Sequence, residues 1–256
     1  MPTPVMHLAL AEEILRGDAL SPATRRLLIE QRGPFLLGNT APDVQTVSGQ
    51  ERAETHFYHV WRPPPPDESA RSACESLLAA HPALARADAL PPAQAAFVAG
   101  YLAHLLLDEL WLKRVFRRYF LQDWGPLEER LFLHNVLRTW MDRLDQRRLN
   151  VSLAAALREA NPEGWLPFVS DEHLRGWRDW LVEQFTPGHQ VQTAEVFARR
   201  MGVPAADVEA VLQSPQQMES RVFCHVPRTA LQSFRDRGYK RSVALIRRYI
   251  APSTRR

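Results

Sequence analysis

Residues 95–112 have the sequence AAFVAGYLAHLLLDELWL, an almost uninterrupted apolar run. Its length and composition predict a helix buried in the protein interior. His104 and Asp108 lie four residues apart in this run, so a helix places them on one face. An isolated carboxylate on a buried face is strongly destabilising or takes up a proton. The run therefore predicts a compensating partner for Asp108, either His104 or a divalent cation.

The overall composition is that of a globular protein of 256 residues, with 45% hydrophobic and 24% charged residues. The length suits one large domain, and we expect a single domain over 1–256. A net charge of only +3 does not indicate nucleic acid as a partner. Cys74 and Cys224 have no metal-type spacing and are expected to be free thiols. With no signal-peptide pattern at the start, and with ionisable residues inside the apolar run, we expect a cytoplasmic protein without a transmembrane span.

Nearly every periodic segment is typical of a helix, which predicts an all-α fold. Thr3 is a candidate cap for a first helix over 4–16, with His7 facing inward and Glu12 facing outward. A second helix is expected to begin at Ser21 and to end near Gly33. Further helices are expected at 67–80, 92–121, 126–148, 151–160, 171–185, 191–200, 204–213 and 227–250.

The segment 35–66, between the second and third predicted helices, is different because it is rich in Gly and Pro and has little helical periodicity. We expect an ordered loop region that contains short helical turns. A structured loop of about thirty residues inside a compact domain is often functional.

Potential metal ligands are distributed over four parts of the chain. One lies on the first helix, one lies in each of two separate parts of the loop region, and two lie on the long helix. Imidazoles and carboxylates together suit Zn²⁺, and less exclusively Fe²⁺ or Mn²⁺. The predicted ligand set is His7, Asp43, His56, His104 and Asp108.

These motifs, in this order, resemble the zinc-dependent phospholipase C family, which is related to the P1-type nucleases. The resemblance covers residues 4–112. It is carried by Met6-His7-Leu8, by Gly38 followed by Pro42-Asp43, by Thr55-His56-Phe57, and by Gly100-Tyr101-Leu102-Ala103-His104 followed by Asp108. It implies a multi-helical bundle with a metal-binding core over 4–121. Residues 122–256 would then be an additional helical part that serves as a lid, an interface or an extension of the core.

By that resemblance, Asp43, His56, His104 and Asp108 would surround one zinc ion. Asp108 would bridge to a second ion that also takes His7. The family can carry a three-zinc cluster, but this chain departs from its pattern. Lys113 follows Asp108 where the family has a His, and the residue four positions after His134 is Arg138 rather than Glu. The sequence therefore predicts one or two metal ions.

The resemblance implies hydrolysis of a phosphoester by metal-activated water, with a small molecule or a lipid as the substrate. Asp43 is the candidate for orienting or deprotonating that water. His59, Trp61 and Trp111 are candidate substrate-binding residues, because they lie close in sequence to the predicted ligands.

Each of the predicted ligands also has a purely structural explanation. His7 and His56 are equally explained as ordinary histidines of the core and of a loop, Asp43 as a turn residue, and His104 with Asp108 as a buried ion pair. At the level of the whole protein, the alternatives are a helical scaffold or interaction module without turnover and, with less support, a nucleic-acid-binding or nuclease-type protein. The oligomeric state is open.

Overall fold

The computed structural model describes residues 1–61, 71–186 and 192–251, and within these ranges every regular element is a helix. The expected all-α fold class is therefore confirmed. Residues 62–66 of the predicted loop, residues 67–70 of the predicted third helix and residue 191 lie outside the described ranges. The α-helices are α1 Pro4–Arg16, α2 Pro22–Glu30, α3 Arg32–Gly38, α4 Gln45–Ser48, α5 Arg52–His56, α6 Ala73–Ala80, α7 Pro92–Trp111, α8 Leu127–Gln146, α9 Leu153–Arg158, α10 Asp171–Phe185, α11 Thr193–Met201, α12 Ala205–Gln213, α13 Pro215–Gln217 and α14 Arg228–Ile250.

Shorter helical segments of other types complete the chain. Three 3₁₀ turns occupy Ala41–Val44, Pro82–Ala85 and Ala87–Ala89. Two π-helical stretches follow α7 and α13, at Leu112–Phe120 and Met218–Phe223. The predicted helix over 92–121 is therefore one continuous helical rod that changes from α to π geometry after Trp111.

The central element is α7, which packs against α3 on one side and against α14 on another. Two glycines allow α3 and α7 to approach closely. A Cβ atom on Gly38 would lie 2.0 Å from the carbonyl oxygen of Phe97, and one on Gly100 would lie 2.3 Å from that of Phe35. Because any larger residue would overlap with backbone, both positions require glycine. The crossing holds the chain after α3 against the face of α7 that carries His104.

The α1 helix begins as predicted, because the Thr3 hydroxyl accepts a hydrogen bond from the Met6 backbone N–H. His7 faces the interior, as expected. The prediction that Glu12 faces outward is wrong. Its side chain is buried and forms an ion pair with Arg32, and this pairing is what makes burial of the carboxylate tolerable.

The predicted end of the second helix near Gly33 is also wrong, because α2 stops at Glu30 and α3 begins at Arg32. Pro34 lies in the first turn of α3, where its missing N–H has no helical partner to lose. Gly33 serves close packing, since a Cβ there would lie 2.1 Å from the carbonyl oxygen of Ala156. Much of the predicted loop region consists of short helices, namely the end of α3, the 3₁₀ turn that follows it, α4 and α5.

The second half of the chain contributes to the same interior as the first. Buried apolar side chains form one cluster that extends from Met6 to Tyr249. The stretch Pro92–Phe120 is long and apolar enough to cross a membrane, the one such helix among the described residues, and 89% of its most apolar window is buried inside the protein. A buried core helix has the same length and composition, so this is weak evidence for a span.

Candidate metal centre

The structure brings the five predicted ligands together, beside the part of α7 that follows its crossing with α3. His7 projects from α1, Asp43 from the 3₁₀ turn after α3, and His56 is the last residue of α5. His104 and Asp108 project from successive turns of α7. Four different parts of the chain therefore converge on one point in the interior.

Asp108 is at the centre of this cluster. The Nε2 atom of His7 lies 3.4 Å from its Oδ1 atom. On the other side of the carboxylate, Oδ2 lies 3.5 Å from Nε2 of His56 and 3.8 Å from Nε2 of His104. Asp43 joins through its Oδ1 atom, 3.5 Å from Nε2 of His56.

The imidazole rings are also arranged relative to one another. His7 and His104 are stacked nearly parallel, with ring centroids 3.7 Å apart and an angle of 8° between the planes. His56 meets His104 edge-on at a centroid distance of 5.3 Å. Such stacking is unfavourable between two charged imidazoliums, so at least one ring of the stacked pair is neutral.

Hydrogen bonds fix which nitrogen of His104 faces the centre. Its Nδ1 atom lies 2.8 Å from the carbonyl oxygen of Asn39. A carbonyl oxygen only accepts, so Nδ1 carries a proton and the Nε2 atom of the neutral ring presents its lone pair. This arrangement, with a backbone carbonyl behind the ring, is the usual one for a metal-binding histidine.

His56 is oriented in the same way by its neighbour in the chain. The hydroxyl of Thr55 donates to the carbonyl oxygen of Arg52, at 3.3 Å, and lies 3.0 Å from Nδ1 of His56. The hydroxyl oxygen therefore accepts a hydrogen bond from Nδ1–H, and the Nε2 lone pair of His56 also faces the carboxylates.

Several buried polar atoms of this cluster have no hydrogen-bond partner in the described part of the chain. They are Nδ1 and Nε2 of His7, Nε2 of His56, Nε2 of His104 and Oδ1 of Asp108. Leaving one such atom unpaired costs about 1–3 kcal/mol. A cation between these atoms would satisfy them, because the Nε2 atoms lie 3.4–3.8 Å from the oxygens of Asp108.

The donor set fits a divalent transition metal. Two overlapping groups offer ligand atoms within 4.8 Å of one another: His7 with His104 and Asp108, and Asp43 with His56 and His104. Neutral imidazoles and ionised carboxylates are the ligand types that Zn²⁺ prefers among protein oxygens and nitrogens.

The protonation states suit this role. Burial and the neighbouring His7 hold the pKa of His104 at about 3, so the ring is neutral at pH 7. Burial alone would raise the pKa of Asp43, but His56 and His104 outweigh it and bring that pKa to about 2. Burial likewise opposes ionisation of Asp108, and His104, His7 and Arg52 still hold its pKa well below the usual range. Binding of a metal ion to His104, Asp43 and Asp108 would therefore require no deprotonation of these three groups at neutral pH.

Two residues at the site were not predicted from the sequence. Arg52 donates from Nη2 to Oδ2 of Asp108, at 2.5 Å, and to the hydroxyl of Tyr58, at 3.0 Å. Tyr58 also donates to Oδ2 of Asp108, at 3.1 Å. The available signal was spacing, because Arg52 precedes His56 by four residues and a single helical turn places both on one face.

The predicted substrate-binding residues lie in different surroundings. His59 is exposed, and Trp61 is 64% exposed, with its ring edge-on to Phe116 at 5.8 Å. Trp111 has 0% exposure, and its indole N–H donates to Nε2 of His134. The Trp111 ring is therefore part of the core, and its role in substrate binding stays a prediction.

The positions that depart from the family pattern are occupied by basic residues. Lys113 is exposed and pairs with Glu109 at 3.8 Å. Arg138 is turned towards the start of the chain and donates to the carbonyl oxygen of Met1 at 2.9 Å. Neither side chain is a metal ligand type, so these positions add nothing to the donor set.

Comparison of the chain with models of protein families, with curated proteins and with solved structures gave no match.

Proposed function

We propose that this protein is a metal-dependent hydrolase of phosphoesters, similar to phospholipase C, with zinc as its metal. The observation that carries the proposal is the set of inward-facing, unpaired Nε2 and Oδ1 atoms on His7, His56, His104 and Asp108. A structural core of this size would pair such atoms with one another or replace them with apolar groups. Their chemistry, together with the resemblance to the zinc-dependent phospholipase C family, supports a hydrolytic metal centre.

The residues that would hold the ion are His56, His104, Asp43 and Asp108, with His7 as a further ligand. Asn39 and Thr55 would hold the two rings in orientation through their Nδ1 atoms. A bound divalent cation supplies Lewis acidity, which brings the pKa of water towards neutrality and draws charge from phosphoryl oxygens.

Asp43 is suited to orienting the attacking water rather than to storing its proton. Its pKa of about 2 makes it an ionised acceptor at neutral pH and a weak base. Its side chain is 19% exposed, whereas Asp108 is 1% exposed. A substrate therefore approaches from the side of Asp43 and Arg52, and His59 and Trp61 remain candidates for contacts outside the centre.

The second candidate function is a helical scaffold or interaction module that keeps the fold without turnover. Lys113 and Arg138 favour it, because they stand where the family places ligands for a third metal ion. This alternative predicts a folded protein that is inactive towards phosphomonoesters, phosphodiesters and phospholipids alike.

Elemental analysis of protein purified without chelators tests the metal centre. We expect about one or two zinc ions per chain in the wild type and a large loss in His104→Ala, which removes the ring held by Asn39. His173→Ala, on the half-buried surface of α10, is the matched control and should keep its zinc. Wild-type protein without any transition metal would contradict the proposal.

Hydrolysis of a chromogenic phosphodiester separates the two candidates. The proposal expects turnover that falls by more than about a hundredfold in Asp108→Asn, since even an outer partner of a metal ligand is worth 10–100-fold. Zinc-loaded wild-type protein that is folded and inactive on all three substrate classes would favour the scaffold.

A further inference from the structure

The two candidate ligand groups compete for one side chain. Both include His104. Its Nδ1 atom is bound to the carbonyl oxygen of Asn39, so only Nε2 remains for a metal. A neutral imidazole nitrogen has a single lone pair and serves one cation. The two groups therefore cannot both be complete at once, and a pair of ions, as the family resemblance implies, would have to be bridged by Asp108.

Besides the charge of the proposed metal ion, the site contains a second positive charge, the guanidinium of Arg52. Nη2 of Arg52 contacts Oδ2 of Asp108, the oxygen on the side of His56 and His104, while Oδ1 faces His7. Tyr58 contacts that same Oδ2 atom. This carboxylate oxygen is thus already occupied by a guanidinium and a hydroxyl, and only Oδ1, on the side of His7, is left without a donor from the residues that the structure describes and free to contact a cation.

The guanidinium of Arg52 is only partly used by these contacts. Its Nη1 atom is buried and has no hydrogen-bond partner among the described residues. The side chain is 28% exposed, so it reaches from the buried carboxylate towards solvent. The Tyr58 ring supports it, with Cζ of Arg52 4.8 Å from the ring centroid. A fixed guanidinium with a free N–H group is suited to binding an oxygen of a phosphate.

We infer that Arg52 takes the place of a second metal ion in this site. It neutralises Oδ2 of Asp108, and its Nη1 atom donates a hydrogen bond to a non-bridging oxygen of the phosphoryl group. The centre accordingly takes one divalent cation, and its ligand is a tetrahedral phosphoryl anion. This inference rests on the proposed function and specifies how many ions and which side chain carry it out.

The test measures metal content and phosphate affinity, without using turnover. Zinc-loaded wild-type protein and Arg52→Gln are titrated with inorganic phosphate by calorimetry, and zinc per chain is measured in the same samples. We expect one zinc per chain in the wild type and phosphate affinity at least about tenfold weaker in Arg52→Gln, the usual effect of losing a charge-assisted hydrogen bond. Arg52→Lys keeps the charge without the planar guanidinium and should bind with intermediate affinity.

The matched control is Arg86→Gln. Arg86 also pairs with an aspartate, Asp88, but both lie at the surface. It should bind zinc and phosphate as the wild type does. If Arg52→Gln fails to fold, the same comparison is made with Arg52→Lys.

The outcomes separate this inference from the proposed function. Two zinc ions per chain in the wild type, or unchanged phosphate affinity in both Arg52 variants, would overturn the role of Arg52 and leave the metal-dependent hydrolase standing. Absence of zinc from the wild type would overturn both.

Discussion

Two aspartates of this protein are buried to the same degree and have opposite surroundings. Asp108 on α7 and Asp142 on α8 both have 0% exposure. Both oxygens of Asp142 are hydrogen-bonded, Oδ1 by the Thr3 hydroxyl and Oδ2 by the Thr193 hydroxyl at 2.9 Å. Around Asp108, by contrast, Oδ1 and three imidazole Nε2 atoms have no partner in the described structure.

The two clusters lie one turn apart on α1, because Thr3 caps the helix and His7 follows four residues later. The Asp142 cluster connects α1, α8 and α11 with groups that satisfy one another. Buried polar groups that are all hydrogen-bonded in this way are typical of a structural role. The Asp108 cluster leaves its groups unsatisfied, which is the arrangement expected where a ligand completes the set.

Chelation should give the largest difference between the clusters. We expect EDTA to lower the unfolding temperature of wild-type protein, because zinc at a hundred times its dissociation constant stabilises the folded state by about 2.7 kcal/mol. Asp108→Asn should respond little to EDTA, and Asp142→Asn should respond as the wild type does. Differential scanning calorimetry with and without EDTA measures this. Equal responses of all three proteins would contradict the assignment of the two clusters.

The pH dependence of stability should identify the Asp142 cluster. Burial raises the pKa of Asp142 from 3.8 to about 7, against the bonds from Thr3 and Thr193. Between these values the folded state holds a proton that the unfolded state has lost, so this contribution is complete below about pH 4 and is lost as the pH rises through 7. Asp142→Asn should remove this decline. Urea unfolding at pH 4, 5.5 and 7.5 measures it, and parallel curves for the two proteins would contradict it.

A pair of matched threonine substitutions should give the smallest effects. Thr55→Val removes the acceptor behind His56 and is expected to weaken zinc binding by about tenfold. Thr193→Val removes a donor to Asp142 and is expected to lower the free energy of unfolding by about 1 kcal/mol without a change in zinc affinity. Zinc titration with a competing chelator and urea unfolding measure the two effects. The assignment of the two clusters would be contradicted if Thr193→Val weakened zinc binding and Thr55→Val lowered only the free energy of unfolding.

Sequence periodicity and capping were sufficient to predict most helices, including α1, α7 and α8. They failed where tertiary contacts replaced local signals. Glu12 is polar yet buried, because Arg32 from the next helix pairs with it. Gly33 and Pro34, which usually end helices, lie in the first turn of α3, because Gly33 is needed for close packing on Ala156.

For the candidate site, residue type and order identified the five side chains that converge. The same information could not identify Arg52 and Tyr58, since neither is a histidine or a carboxylate and their relation to Asp108 exists only in three dimensions. It also placed Trp111 at the site by nearness in sequence, whereas the indole is buried in the core against His134 and Phe234.

The glycine contact between α3 and α7 links the spacing of two helices to the chemistry of a ring nitrogen. The carbonyl of Asn39 reaches His104 only because Gly38 and Gly100 allow the two backbones to touch. A methyl group added at either glycine would separate donor from acceptor and release the imidazole to rotate or change tautomer. If the proposed metal centre is correct, metal affinity would therefore depend on how closely α3 and α7 pack.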